Sequence, residues 1–377
     1  MHCNAGGMPN NRVMKILQVI TSLHTGGAEK LIVDMVPKYR QHGLDVDVLL
    51  FDGTETPFKQ QLESAGVKVF SLGKGGSVYN PLYLFKLLPY LRKYDIVHTH
   101  NTACQLFAAI GSVLCSVVLC TTEHNTSNRR RGLKWYRSID KWMYSRYKKI
   151  ICISPSTEDN LRESIHDYSD KICTIPNGIA IANYAIASSV EKDTISKNPE
   201  RKVIAMVAGF RYQKDQETVI RAMTLLPENT ELWLVGDGER RTLIEQYIKQ
   251  YKLENRVLLL GIRSDVSSIL KTVDIVVQSS HWEGFGLAAV EGMAAGKPVV
   301  ATDVAGLSQV VEGAGILFPL GNEKKLANIL KHLLSDEKHY NSVAEQCQLR
   351  AKQYDIVQMV DSYYDIYVRL ISTVSNE

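Results

Sequence analysis

The feature that most constrains this chain is its rhythm. Short runs of β-branched and aliphatic residues recur along it, each separated from the next by a longer stretch of helical periodicity. In the first half the runs are Lys15–Ile20, Val46–Phe51, Val67–Ser71, Ile96–Thr99, Val117–Thr121, Ile150–Ile153 and Ile172–Ile175, with helical patterns such as Ala28–Gln41 and Pro81–Lys93 between them. Runs that are apolar throughout suit strands buried on both faces. Strands alternating with helices build parallel sheets with crossover connections. The pattern fails after Asn177-Gly178, where residues 185–201 are polar, small and charged. It restarts with Val203–Val207, Leu232–Val235, Val257–Leu260, Ile275–Val277, Val299–Ala301 and Ile316–Phe318.

The expected fold class is therefore α/β, two Rossmann-like domains facing each other, with a ligand in the cleft at the C-terminal ends of their strands. The expected divisions are a disordered extension over 1–13, a first domain over 14–180, a linker over 181–201 and a second domain over 202–354. A C-terminal helix over 355–377, apolar and Tyr-rich along Ile356–Ser372, should return to the first domain. A length of 377 residues suffices for two ordinary domains. Seven scattered cysteines without a CxxC pair read as reduced thiols in a cytoplasmic protein. The longest apolar stretch, Ala103 to Cys120, contains Gln105, Gly111, Ser112 and Ser116, which suits a buried helix and strand better than a membrane span. No secretory signal is expected before the first strand.

The densest chemical signal runs from Ser279 to Thr302 and includes Glu283-Gly284-Phe285-Gly286-Leu287 and Glu291. It follows an apolar strand and should open a helix near Gly286. The free amides of a helix start favour an anion, and the two glycines let a phosphate approach the backbone. Glu283 would stand in the loop before the helix, and Glu291 about two turns into it on a similar side. Two carboxylates so placed can each accept sugar or ribose hydroxyls.

The stretch E-G-F-G-L-x-x-x-E, followed by G-K-P-V-V-A-T, resembles the Glu-x7-Glu signature of glycosyltransferase family four, the large retaining family of the GT-B fold. The likeness extends over nearly the whole chain from Met14. It implies that Glu283 faces the donor sugar, that Glu291 holds the ribose hydroxyls, and that the amides of Gly284, Phe285, Gly286 and Leu287 cradle the diphosphate. Arg211 and Lys214, in the loop after Val203–Val207 that begins with Gly209, would neutralise that diphosphate as negative charge develops on it. The family usually has Arg directly after the glycine, whereas Phe210 stands there in this chain, so Lys214 carries over better than Arg211. Gly26 and Gly27 resemble the family's N-terminal glycine loop. His124 resembles its histidine near the reacting carbon, with His100 and Asn125 on the acceptor side. Gly236-Asp237-Gly238 resembles the loop beside the nucleotide, and Gly261-Ile262 the segment that reads the base. Gly178 resembles the interdomain turn, where it should supply an unusual backbone angle. In the loop Thr302-Asp303-Val304-Ala305-Gly306 the family often has Glu three residues after the glycine; Gln309 stands there instead.

No metal is implied. His98 and His100 share one face of a strand end, but further ligands are not apparent, and His98 reads better as a packed histidine. Asp45-Val46-Asp47 matches a metal-binding D-x-D pattern, yet it opens its strand and so lies at the wrong end of the sheet. The expected substrates are a nucleotide-diphosphate sugar, with UDP-sugar foremost, and a glycan or lipid-linked acceptor. No cofactor is expected.

Between Arg129 and Lys149 lie about nine cations, five aromatics and one acid. Trp135, Ile139, Trp142, Met143 and Tyr147 fall near helical spacing, so an apolar face could stand beside a basic one. Such a helix either packs its aromatic face on the sheet or rests on a membrane surface, which would place the protein at the inner face of the cell membrane. Aromatics among cations also suit single-stranded nucleic acid. No nucleic-acid motif accompanies them, and a net charge of +4 is too small to imply such a partner. The functional reading is a retaining, metal-independent transferase of cell-envelope polysaccharide. Its rivals are a nucleotide-sugar epimerase of the same fold and a non-catalytic sugar-binding scaffold.

Overall fold

A computed structural model describes residues 13–124 and 134–374. The extension expected over 1–13 lies, apart from Val13, outside the described residues. Each apolar run forms a strand. The first sheet holds β1 (Lys15–Ile20), β2 (Asp45–Asp52), β3 (Val69–Gly73), β4 (Ile96–Thr99), β5 (Val118–Glu123), β6 (Lys149–Cys152) and β7 (Ile172–Thr174). Their order is β3-β2-β1-β4-β5-β6-β7, and every pairing is parallel. The second sheet holds β8 (Lys202–Val207), β9 (Thr230–Val235), β10 (Val257–Gly261), β11 (Ile275–Gln278), β12 (Val299–Thr302) and β13 (Ile316–Phe318), in the parallel order β10-β9-β8-β11-β12-β13. In both sheets the strand order reverses beside the first strand, where the loops on either side part and leave a crevice.

Register decides what the sheet edge presents. Ile16 of β1 lies beside Ile96 of β4, and Ile96 beside Val118 of β5. The strands therefore end level, and Thr21, Asn101 and His124 emerge together. The helix Gly27–Gln41 buries Leu31, Ile32, Met35, Val36 and Tyr39, residues one turn apart on the face toward the sheet. Each fully buried aliphatic side chain there contributes roughly 1.5–3 kcal/mol. On that same face of the sheet the C-terminal helix Ile356–Val374 packs Met359, Val360, Tyr363 and Tyr367 into the first domain's core.

The crossover to this last helix is made at Ile179. Its amide donates to Tyr354 O (2.9 Å), and its carbonyl accepts from the Ile356 amide (2.9 Å). The neighbouring Gly178 corrects one expectation, because it is not among the glycines with positive φ. Glycine is required there by close approach: a Cβ would lie 2.6 Å from Ile356 Cα. The segment expected to be a linker is also more ordered than its composition suggests. Ile181–Ile186 is a helix with Tyr184 buried, and Ser196 is buried on Glu231 at 2.8 Å.

The basic stretch likewise departs from a single apolar face. Its residues 129–133 and the side chains of Lys134 and Trp135 lie outside the described residues. In the helix Lys134–Ser145 and the turn after it, Met143, Tyr144 and Tyr147 are buried in the core, whereas Ile139 and Trp142 are exposed. The apolar residues are thus divided between the sheet and solvent.

Candidate active site

The helix Leu287–Ala294 starts immediately after Gly286, whose φ of 96° lies in the left-handed region that glycine adopts without cost. The Ala289 and Val290 amides donate to Gly286 O, and those of Leu287 and Ala288 have no partner among the described residues. Beside it the loops after β8 and β11 are zipped together. Ser279 Oγ donates to the carbonyls of Lys214 (3.1 Å) and Asp215 (2.8 Å). The His281 amide donates to Gln213 O at 2.8 Å, and Gln213 Nε2 donates to Trp282 O at 2.9 Å. Asp215, itself left-handed at φ 48°, caps the next helix by accepting from Thr218. These bonds hold the Lys214 ammonium on the Glu283 carboxylate, which also accepts from Ser280 Oγ at 3.2 Å.

The first domain meets this corner closely. Ser154 Oγ donates to Gly284 O at 2.7 Å, and a Cβ on Gly284 would lie 2.7 Å from His124 O. A Cβ on Gly27 would lie 3.3 Å from Leu287 Cδ1. Arg211 is exposed in the loop after β8, and its charge reaches Glu29 beside Gly26 and Gly27; burial lifts the Glu29 carboxyl above its usual range. Glu291 is hydrogen-bonded to Tyr184 and raised chiefly by burial, with Lys30 and Asp34 of the first domain nearby. The expected residues Gly26, Gly27, His124, Arg211, Lys214, Glu283, Gly284, Gly286 and Leu287 therefore face one another where the two sheets' C-terminal ends meet.

Others take different places. The Phe285 side chain turns into the core, edge-on to Tyr354 at 5.2 Å, so only its backbone can serve the site. Gly209 backs the same loop, its carbonyl accepting from Gln216 at 3.1 Å. Gly261 accepts from the Gly236 amide at 2.8 Å, and Ile262 beside it is exposed. Asn125 lies outside the described residues. His100 is buried, yet it borders a cavity of about 200 Å3 lined by Thr21, Asn101, Gln105, Glu123 and His124.

The ring nitrogens of His98 are held by Tyr367 (2.6 Å) and Thr122 (2.8 Å), as a packed histidine requires. Asp47 is buried at the opposite end of the first sheet and accepts from Tyr94 OH at 2.6 Å. Among the described residues, no three His, Cys, Asp or Glu side chains group as metal ligands.

Sequence reasoning missed Gln18, Tyr184 and Ser154. Gln18 carried a signal, being the one amide within the apolar run Lys15–Ile20. Tyr184 and Ser154 carried none, since their roles arise from contacts between the two halves.

Comparison with known proteins shows what the chain is similar to. A family model described as Glycosyltransferase Family 4 matches residues 25–183, and one described as Glycosyl transferases group 1 matches 188–350. The chain is 28% identical over 305 residues to the UDP-Gal:alpha-D-GlcNAc-diphosphoundecaprenol alpha-1,3-galactosyltransferase of Escherichia coli, covering 76% of this chain and 78% of that one. It is 30% identical over 261 residues to an uncharacterized glycosyltransferase of Methanocaldococcus jannaschii, covering 65% and 67%. Among solved structures it is similar to Anabaena HepE in complex with UDP and glucose, with TM-score 0.83, 25% identity and coverage of 94% and 100%.

Proposed function

This chain belongs to glycosyltransferase family 4, and from that premise we propose that it moves a sugar from a UDP-sugar to a lipid-linked glycan, with retention and without a metal. The UDP-bound neighbour and the diphosphoundecaprenol-specific relative support the two substrates. The observation that carries the reading is the meeting of Lys214 and Glu283 beside the helix that Gly286 opens.

An arriving diphosphate would lie on the Gly284–Leu287 amides and draw Lys214 and Arg211 onto its oxygens. Two cations and a helix start then occupy the role that a divalent ion has elsewhere. As the bond between the anomeric carbon and the phosphate oxygen breaks, negative charge grows on the oxygens that those donors then hold. The departing phosphate oxygen takes the proton of the incoming hydroxyl, whose oxygen bonds to the anomeric carbon on the same face. Glu283, released from Lys214, accepts hydroxyls of the transferred sugar, and Glu291 accepts those of the ribose.

The exposed Ile139 and Trp142, with Arg137 and Lys141 on the same helix, would seat the first domain on an anionic bilayer carrying the acceptor. Among the described residues no helix is long and apolar enough to cross a membrane.

The reading is tested by thermal shift against a panel of UDP- and GDP-sugars in EDTA, followed by transfer to polyprenyl-diphosphate-linked sugars. One UDP-sugar should stabilise the wild type and fail to stabilise Glu291→Ala. Stabilisation only after adding a divalent ion, or none by any nucleotide sugar, contradicts it.

A further inference from the structure

A file of hydrogen bonds leads from the candidate active site into the first domain and ends on the C-terminal helix. His124 Nε2 lies 3.0 Å from His100 Nδ1, and His100 Nε2 lies 2.6 Å from Gln18 Oε1. Gln18 Nε2 donates to Tyr367 OH at 3.0 Å, and that hydroxyl lies 2.6 Å from His98 Nδ1. His98 Nε2 then lies 2.8 Å from Thr122 Oγ1. Gln18, His98, His100, Thr122 and Tyr367 are all buried. Burial also lowers the histidines, His98 to about 3 and His124 to about 4, with His100 well below its usual value. All three rings are therefore neutral near pH 7.

A neutral imidazole has one donor and one acceptor nitrogen, so a file of such rings has a direction. The amide of Gln18 sets it, because its two ends differ chemically. Its oxygen faces His100 and can only accept, so His100 carries its proton on Nε2 and must accept at Nδ1. His124 consequently donates through Nε2, which leaves Nδ1 as a bare acceptor. That atom has no partner among the described residues, and His124 lines the cavity at the sheet edge. If the amide were turned over, every proton in the file would reverse and His124 Nδ1 would become a donor.

We propose that Gln18 and Tyr367 are positioning residues that hold the His124 proton on Nε2, so that Nδ1 accepts a hydrogen bond from a hydroxyl of the transferred sugar. The ligand class rests on the transferase reading above; the direction of the file does not. Tyr367 extends the control to the C-terminal helix, so seating of that helix on the first domain prepares a group at the active site.

The experiment is a long-range 1H–15N correlation spectrum of the whole chain labelled at histidine, which reports the protonated nitrogen of each ring. The wild type should show His124 protonated on Nε2, and Gln18→Leu should give a mixture. With that variant kcat should fall about tenfold, as for loss of one transition-state hydrogen bond, while UDP affinity holds. Gln18→Glu can only accept toward His100 and should restore both the spectrum and kcat. A wild-type His124 protonated on Nδ1, or an unchanged tautomer in Gln18→Leu, overturns the proposal. Should Gln18→Leu fail to fold, Tyr367→Phe takes its place with the same two outcomes. The spectrum needs no substrate, so failure to bind any UDP-sugar would count against the transferase reading alone.

Discussion

Lys214 and Glu283 are 69 residues apart in sequence, yet their side chains form an ion pair across the loops that follow β8 and β11. The pairing holds a cation beside the helix that Gly286 opens. Both groups are mostly shielded from solvent, so each depends on the other for compensation. On the proposed reading, a donor phosphate that captured Lys214 would release Glu283 at the same moment and so couple donor binding to readiness of the carboxylate.

Removing the cation should therefore cost catalysis more than folding. Lys214→Ala is expected to lower kcat/KM by about 10²–10³, the loss found when one preorganised charge-stabilising donor is removed. Lys214→Arg should recover part of it. Steady-state kinetics beside melting curves would check this, and an alanine variant within a factor of about three of wild type would count against a role for Lys214 in the reaction.

The buried histidines make the fold acid-labile in a defined window. Their folded pKa values lie below the ordinary 6.5, at about 3 for His98 and about 4 for His124. The unfolded chain therefore takes up protons first as pH falls. Their contribution is complete above pH 6.5 and is lost from there down to about 4 for His124 and about 3 for His98. Each histidine should add about 1.4 kcal/mol per pH unit to the slope in that window. Denaturant titrations at a series of pH values should show His98→Asn with the shallower slope, and equal slopes would refute the assignment.

Gly178 should tolerate no side chain. A Cβ there would lie 2.6 Å from Ile356 Cα and 2.9 Å from Ile356 N, both backbone atoms that cannot swing aside. Gly178→Ala is expected to cost about 1–3 kcal/mol, in the range of overpacked sites. It should also loosen the C-terminal helix, exposing the Asp355 region to protease. A variant as stable and protease-resistant as the wild type would argue against the wedge.

The exposed pair Ile139 and Trp142 gives the membrane reading a direct handle. Replacing both with Ser should weaken sedimentation with anionic vesicles by about tenfold while leaving the melting temperature nearly unchanged, because neither residue is in the core. Binding of the wild type should fall as salt rises. If the double variant binds such vesicles as well as wild type, another surface makes the contact.

Much of this was legible in the chain. A parallel strand buried on both faces reads as a near-continuous apolar run, so Ile275–Val277 announces its strand although that strand is only four residues long. The Gly286 turn was legible because strand, glycine pair and small-residue helix follow in order. Less visible were features made by contact between distant segments. Gly178 reads as a turn glycine, but its constraint comes from Ile356. The apolar residues of 134–147 look like one face, yet Met143, Tyr144 and Tyr147 supply the core while Ile139 and Trp142 do not. Gln18 is the one side-chain amide within β1, but its partners His100 and Tyr367 come from β4's end and the last helix, which no local pattern links.

The stereochemistry of donor cleavage tests the central claim most directly. With an α-linked UDP-sugar and EDTA, 1H NMR spectra recorded in the first minutes of slow donor hydrolysis, or of transfer, should show the α-anomer as the first product, with UDP released in step. A first product of β configuration, or cleavage that requires a divalent ion, would contradict a retaining, metal-independent transfer driven by Lys214, Arg211 and the Gly284–Leu287 amides.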